Sequence, residues 1–210
     1  MAQFRYRSMT PEDVIQVREL YIEFWKRETI AKALKMEVPR ECEKFVEYAL
    51  EDAPFNQLSV VAEDTLTGKL VGMNAVVLAT PGDRKSWIFP QEDPNCRTMK
   101  RSYSILDQLY AMPDYFSHFG VKNCLLSRGI VVLEEYDRRG IGTKLMQKTL
   151  GIARDLGVQL VLMDCTSPFS RRICEKLSFE QVSLIDLADK GVENLSDDNR
   201  FRIATLHALN

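Results

Sequence analysis

The chain has 210 residues, 45% hydrophobic and 28% charged, which supplies enough apolar material for a substantial core within the usual range of one domain. Its 28 basic and 30 acidic side chains leave a formal charge of −2, with the acids dispersed, so the strongly basic face of a nucleic-acid-binding protein is excluded. Five scattered cysteines (Cys42, Cys96, Cys124, Cys165, Cys174) and two histidines lack the spacing of zinc or redox motifs, so reduced thiols, no metal and a cytoplasmic location are expected.

Met1 to Thr10 alternates polar and apolar residues where a secretory leader would be continuously apolar. Within it Gln3 to Arg7 reads as a first strand. Thr10-Pro11-Glu12-Asp13 then supplies an N-cap hydroxyl, a proline at the first helical position and first-turn acids, which start a helix. Its apolar residues Val14, Val17, Leu20, Tyr21, Phe24 and Trp25 recur at helical spacing, to about Lys26. Arg40 to Leu50 has the same period. Leu58 to Ala62 and Lys69 to Thr80 flank a Thr67-Gly68 turn and predict an antiparallel hairpin. The longest nearly unbroken apolar stretch, Leu70 to Ala79, is far short of the ~20 residues that span a bilayer and reads as a buried strand.

Pro81 to Arg97 is polar and rich in proline and aspartate, which predicts a long surface excursion. Tyr103 to Phe116 reads as a helix ending among Tyr110, Tyr115, Phe116 and Phe119. Asn123 to Leu133 predicts a strand, Arg139 to Leu156 a helix closed by Gly157, and Gln159 to Met163 a strand, a unit that makes a parallel pair. A short helix over Ser170 to Leu177 and strands over Phe179 to Leu187 and Phe201 to His207 complete the chain. The expected fold is α/β (α+β), a single domain over 1–210 with a mixed, mostly antiparallel central sheet flanked by helices.

The sharpest motif is Tyr136-Asp137-Arg138-Arg139-Gly140-Ile141-Gly142-Thr143, between a predicted strand and a strongly periodic helix. Gly140 and Gly142 let the backbone approach an anion, and the first-turn amides of the helix, Ile141 among them, point outward with the positive dipole end behind them. Arg138, Arg139 and the Thr143 hydroxyl add donors, so a pyrophosphate would fit. Tight packing is the competing account of the glycines. Three-glycine spacing is missing and the loop lies two-thirds of the way along the chain, against a dinucleotide fold. No Gly-Lys-Ser or Gly-Lys-Thr follows, against a nucleotide hydrolase. Coenzyme A remains.

With these residues the sequence resembles the GNAT family of N-acetyltransferases, whose signature is Gln or Arg, two residues, Gly, any residue, then Gly or Ala. Gly140 and Gly142 match, and the first position falls on Asp137. The resemblance implies acetyl-coenzyme A as cosubstrate and assigns backbone bonds to its pantetheine arm to Ile130 and Val132. Phe24-Trp25-Lys26-Arg27-Glu28 and Cys165-Thr166-Ser167-Pro168-Phe169-Ser170 further resemble the insect-type arylalkylamine N-acetyltransferases. Glu28 then falls on the catalytic glutamate, while Arg27 and Thr29 depart from the family's acid and proline. Thr166 and Ser170 fall on its two hydroxyls. Many relatives in the wider family place a tyrosine acid where Cys174 stands, so the resemblance shifts that work onto Ser170, Thr166 or solvent. Lys176 stands where it can reach the coenzyme phosphates.

Chemistry asks for the same residue types. An aliphatic ammonium, with a pKa near 10.4, must lose a proton before attacking a thioester, and a carboxylate such as Glu28 can take it. Hydroxyls can serve a developing oxyanion and the departing thiolate, though Ser170 at a helix start also has an N-cap as its bland explanation. Trp25, Tyr110, Tyr115, Phe116 and Phe119 could wall an aryl ring, with core packing as the alternative, and His118 or His207 could lie near the site. The expected partner is a small-molecule arylalkylamine, with neither nucleic acid nor membrane involved. The alternatives are acetyl transfer to a polyamine, amino acid or protein amine, and a non-catalytic acyl-coenzyme A sensor.

Overall fold

The computed structural model describes residues 3–51, 57–81, 97–111, 114–190, 192 and 202–209. The strands are β1 Phe4–Ser8, β2 Val60–Asp64, β3 Leu70–Ala79, β4 Cys124–Val132, β5 Leu160–Cys165, β6 Glu180–Asp186 and β7 Arg202–Leu209. The helices are α1 Val14–Arg27, α2 Thr29–Ala33, α3 Glu43–Glu51, α4 Arg97–Ala111, α5 Tyr115–Phe119, α6 Ile141–Asp155 and α7 Pro168–Lys176. The strands form one sheet in the order β1-β2-β3-β4-β5-β7-β6, antiparallel at every pairing except β4 with β5. That parallel pair follows from its connection, since a helical crossover, α6, carries the chain from β4 to β5. The sheet is thus mixed and mostly antiparallel, with helices on both faces.

α1 begins where Thr10 and Asp13 form a capping box after which the chain turns helical, and Arg7 on β1 holds the Asp13 carboxylate through both terminal guanidinium nitrogens. Its buried residues Val17, Leu20, Tyr21 and Trp25 pack on Val61, Met73, Ala75 and Val131 of the sheet. On the opposite face α6 buries Ile141 and Leu145 against Val60, Ala62 and Val71. Each such side chain contributes about 1.5–3 kcal/mol on burial. β3 is therefore covered from both sides, which is why its sequence is an apolar run interrupted only by Asn74 rather than an alternation.

Several helical boundaries differ from the sequence expectation, among them the starts of α3 at Glu43 rather than Arg40 and of α4 at Arg97 rather than Tyr103. The run expected over Tyr103–Phe116 is two helices, α4 and α5; Pro113 lies between them, and the residue before a proline is disfavoured in helical conformation. α7 starts at Pro168 rather than Ser170 because Ser167 is its N-cap. α6 starts at Ile141 rather than Arg139 because Arg138 and Gly140 both take positive φ. α2, which has no marked signal in the sequence, follows α1 after a single non-helical residue, Glu28. Of the surface excursion expected over Pro81 to Arg97, residues 82–96, with Cys96, lie outside the described residues, while Arg97 opens α4.

Two irregularities of the sheet shape the site. β4 and β5 pair from Cys124↔Leu160 to Ser127↔Met163, and there they part, while β4 runs on beside β3 to Val132. At the same point a bulge places Arg128 between Ser127, opposite Val76, and Gly129, opposite Ala75. A buried network braces it: Ser127 donates to Asn74 Oδ1 at 2.6 Å, and Asn74 donates to Thr149 Oγ1 of α6 at 2.9 Å. Among the described residues no helix is long and apolar enough to cross a membrane.

Candidate active site

The turn between β4 and α6 has the features of an anion-binding turn. Arg138 has φ 61° and Gly140 φ 76°, so two nearby residues are left-handed. For arginine this costs of order 1 kcal/mol, and such strain gathers at ligand-holding turns. The first α-helical bond of α6 runs from Lys144 N–H to Gly140 O, which leaves the amides of Ile141, Gly142 and Thr143 as the unpaired first-turn donors. No acid lies in that turn to offset the positive helix end. Arg139 is steadied by a bond to Glu135 O at 3.1 Å and by the Tyr136 ring, 5.0 Å from its guanidinium carbon. Arg138 and Lys176 are exposed. The glycines divide their roles: Gly140 is needed for its backbone angle, whereas a Cβ on Gly142 would come within 2.8 Å of Ile173 Cδ1, so Gly142 lets α6 and α7 approach.

Ile130 and Val132 lie on the part of β4 that has left β5. Leu133 N–H donates toward β3, to Val71 O, so by strand alternation the backbone groups of Ile130 and Val132 face the opening. The Val132 carbonyl is already engaged there by Arg27 Nη1 at 2.6 Å. Arg27 Nη2 also bonds Asp137 at 3.1 Å. Two of the positions at which the sequence departs from its family pattern, one basic and one acidic, are thus partners.

Glu28 sits at the junction of α1 and α2, where its extended backbone makes it C-cap of one helix and N-cap of the next. Oε2 accepts the Ala31 N–H at 2.6 Å, and the residue is only 7% exposed. Burial pushes its pKa above the ordinary carboxylate value, while the Ala31 amide, the Thr166 hydroxyl and the Ile30 and Thr29 amides pull the other way. Among the described residues Oε1 is buried without a partner in hydrogen-bond geometry. The fold therefore brings Glu28 and Thr166, 138 positions apart in the chain, face to face. Ser170 is engaged with its own helix: its Oγ bonds Ser167 O at 2.9 Å, and its amide bonds Ser167 Oγ at 3.2 Å. It is the third residue of a capping box rather than the N-cap.

Beside Glu28, Trp25, Phe45 and Tyr103 form an aromatic cluster with ring centroids 5.4–6.3 Å apart, and Arg128 stands 4.8 Å above the Tyr103 ring. Phe45 was missed in the sequence because nothing but the packing of α3 against α1 brings it here. Tyr115 and Phe116 do not join this wall: they pack under Leu126, Leu160 and Leu162, with the Tyr115 hydroxyl 2.6 Å from Ser183 Oγ. Phe119 packs with them, and exposed His118 stacks edgewise on it at 4.7 Å. The side chains of Tyr110 and His207 lie outside the described residues. Cys174 is a packing thiol, 3.7 Å from Cys165 Sγ and 3.4 Å from Met163 Sδ, with its pKa driven far upward by Cys165 and burial.

A left-handed turn at a helix N-terminus, beside a strand that has parted from its neighbour, suits a coenzyme held by backbone and phosphate contacts together. The model of the acetyltransferase (GNAT) family matches residues 15–179. The chain belongs to that family. As a GNAT acetyltransferase it draws its acetyl group from acetyl-coenzyme A. Its fold is similar to arylalkylamine N-acetyltransferase 2 of Aedes aegypti, with TM-score 0.83 and 18% identity over 99% of each chain. A mosquito arylalkylamine N-acetyltransferase like 5b aligns with TM-score 0.81 and 23% identity, over 99% of this chain and 100% of that one. A polyamine N-acetyltransferase of Drosophila melanogaster that forms N-acetylagmatine aligns with TM-score 0.78 and 20% identity, over 99% and 100%. No curated protein matches this acetyltransferase by sequence.

Proposed function

We propose that this acetyltransferase transfers acetyl from acetyl-coenzyme A to the primary amine of an arylalkylamine such as dopamine, serotonin or tyramine, by direct attack in a ternary complex. The observation that carries the proposal is Glu28: a carboxyl buried beside an aromatic cluster, with a raised pKa and one oxygen without a partner. A base works best when its pKa approaches the operating pH, and desolvation moves Glu28 in that direction. Its charged form attracts the acceptor ammonium and its unpartnered Oε1 takes the proton, directly or through water. Acetyl-coenzyme A supplies the thioester carbonyl that the freed amine attacks. The turn from Arg138 to Thr143, with Arg139, Gly140, Ile141 and Gly142, holds the pyrophosphate, Ile130 and Val132 hold the pantetheine arm, and Lys176 reaches toward the outer phosphate.

Thr166, already beside Glu28, donates its hydroxyl to charge that develops as the bond forms, and Ser170 serves the departing thiolate from the first turn of α7. For Ser170 this requires its Oγ to leave the Ser167 carbonyl, a weak neutral bond. The choice of an aryl acceptor over a polyamine rests on Trp25, Phe45 and Tyr103, and on Arg128, whose positive charge over Tyr103 works against a second cationic group on the acceptor. Agmatine and polyamines, the acceptors of the related fly enzyme, form the competing class. The test is thiol release from acetyl-coenzyme A with a panel of aryl, imidazole and polyamine acceptors. Turnover with an aryl amine that disappears in Glu28→Gln, with cofactor binding kept, supports the proposal. Preference for agmatine or spermidine would move it to the polyamine class, and binding without turnover on any acceptor would favour a sensor or an acceptor outside the panel.

A further inference from the structure

Base and cofactor sit on different pieces of the fold. Glu28 ends α1, whereas the cofactor turn continues β4, and attack geometry depends on the spacing between them: a displacement of ~1 Å costs up to ~10²-fold in rate. Arg27, the residue just before Glu28, spans that gap. One guanidinium nitrogen holds the Val132 carbonyl at 2.6 Å, and another holds Asp137, the first residue of the turn, at 3.1 Å. One helical turn earlier, Phe24 lies so close over Gly129 of the same strand that a Cβ there would fall 2.5 Å from its ring. The end of α1 is thus docked on β4 by an apolar and a polar contact together.

We propose that Arg27 is a positioning residue that fixes the Glu28 carboxyl relative to the cofactor turn by clamping α1 at once to the Val132 carbonyl and to Asp137. The proposal rests on the assignment of Glu28 as the base. The ion pair by itself contributes little, since the two side chains are 37% and 42% exposed. The work lies in the fork: a planar guanidinium bridges a carbonyl and a carboxylate in fixed directions, which a lysine ammonium on a flexible stem does not reproduce. Arg27 also neutralises Asp137, an acid at the mouth where phosphates enter. Charge and clamp are separate contributions, and they separate experimentally.

Arg27→Met, Arg27→Met/Asp137→Asn and Arg27→Lys would be compared with the wild type by calorimetry with acetyl-coenzyme A, by kcat, and by NMR titration of the 13C-labelled Glu28 carboxyl. Arg27→Met is expected to weaken acetyl-coenzyme A binding by about two- to fivefold, as an uncovered surface charge would. It should also lower kcat by about tenfold or more and let the Glu28 pKa fall toward the ordinary value as the loosened carboxyl reaches water. The double variant should recover the affinity but neither kcat nor the Glu28 titration. Arg27→Lys, which keeps the charge and so guards against a variant that fails to fold, should keep the affinity and lose kcat. The proposal is overturned if affinity and kcat recover together in the double variant, or if the Glu28 titration and kcat are unmoved in Arg27→Met and Arg27→Lys. Should the wild type acetylate no amine while its Glu28 titration still depends on Arg27, the base assignment fails and the clamp stands.

Discussion

Because Glu28 is desolvated at the α1–α2 junction, its carboxyl titrates above the 4.5 of a free glutamate. The folded state then holds a proton that the unfolded chain has released, so the stability this group contributes is fullest below that value and falls as pH rises through the folded pKa. Glu28→Gln keeps an acceptor oxygen for the Ala31 amide, so it is expected to raise Tm at about pH 7 and to lose that advantage near pH 4, by thermal unfolding at both. The same variant should lower kcat by about 10²-fold or more and abolish the acid limb of the kcat/KM profile. Thr166→Val removes a hydroxyl that favours the charged carboxyl; the acid limb should move to higher pH, with kcat reduced. At this scale the sequence named Glu28 and Thr166 separately, through motif positions. Their meeting, and the burial that shifts the pKa, depend on packing among residues far apart in the chain.

The helices illustrate how local signals reach the site and where they stop. Thr10-Pro11-Glu12-Asp13 and Gly157 marked helix ends by capping chemistry that acts within a few residues, and the structure keeps both. The start of α6 was misplaced by two residues because a left-handed Arg138 has no signature in composition. Gly129 carried no visible role in the sequence either, yet α1 lies directly on it through Phe24. Gly129→Ala is expected to destabilise the fold by about 1–3 kcal/mol and to lower kcat by shifting α1 and Glu28, as read by chemical denaturation alongside turnover. Gly142→Ala meets only the mobile end of Ile173, so its stability cost should be smaller and should be relieved by Ile173→Val.

Across the whole molecule, Arg27 links the turn, β4 and α1, so cofactor bound as proposed would be felt in all three. Acetyl-coenzyme A at about 100 times its Kd should stabilise the native state by about 2.7 kcal/mol, a Tm rise of roughly 5–10 °C for a chain of this size. That rise should shrink in high salt, because phosphate contacts at an exposed turn are screened. The sequence by itself determined the class of fold and the place of the glycine turn before α6, since strand and helix periods, caps and a glycine pair express interactions between near neighbours. Only the tertiary structure decided which aromatics gather near Glu28: Phe45 and Tyr103 join Trp25, which the sequence had named, while Tyr115 and Phe116 pack elsewhere. It also decided that Arg27 answers Asp137 across 110 positions. The reason is physical: side chains of one type bury equally well in many places, and only the closing of a particular sheet and the docking of particular helices selects which of them meet.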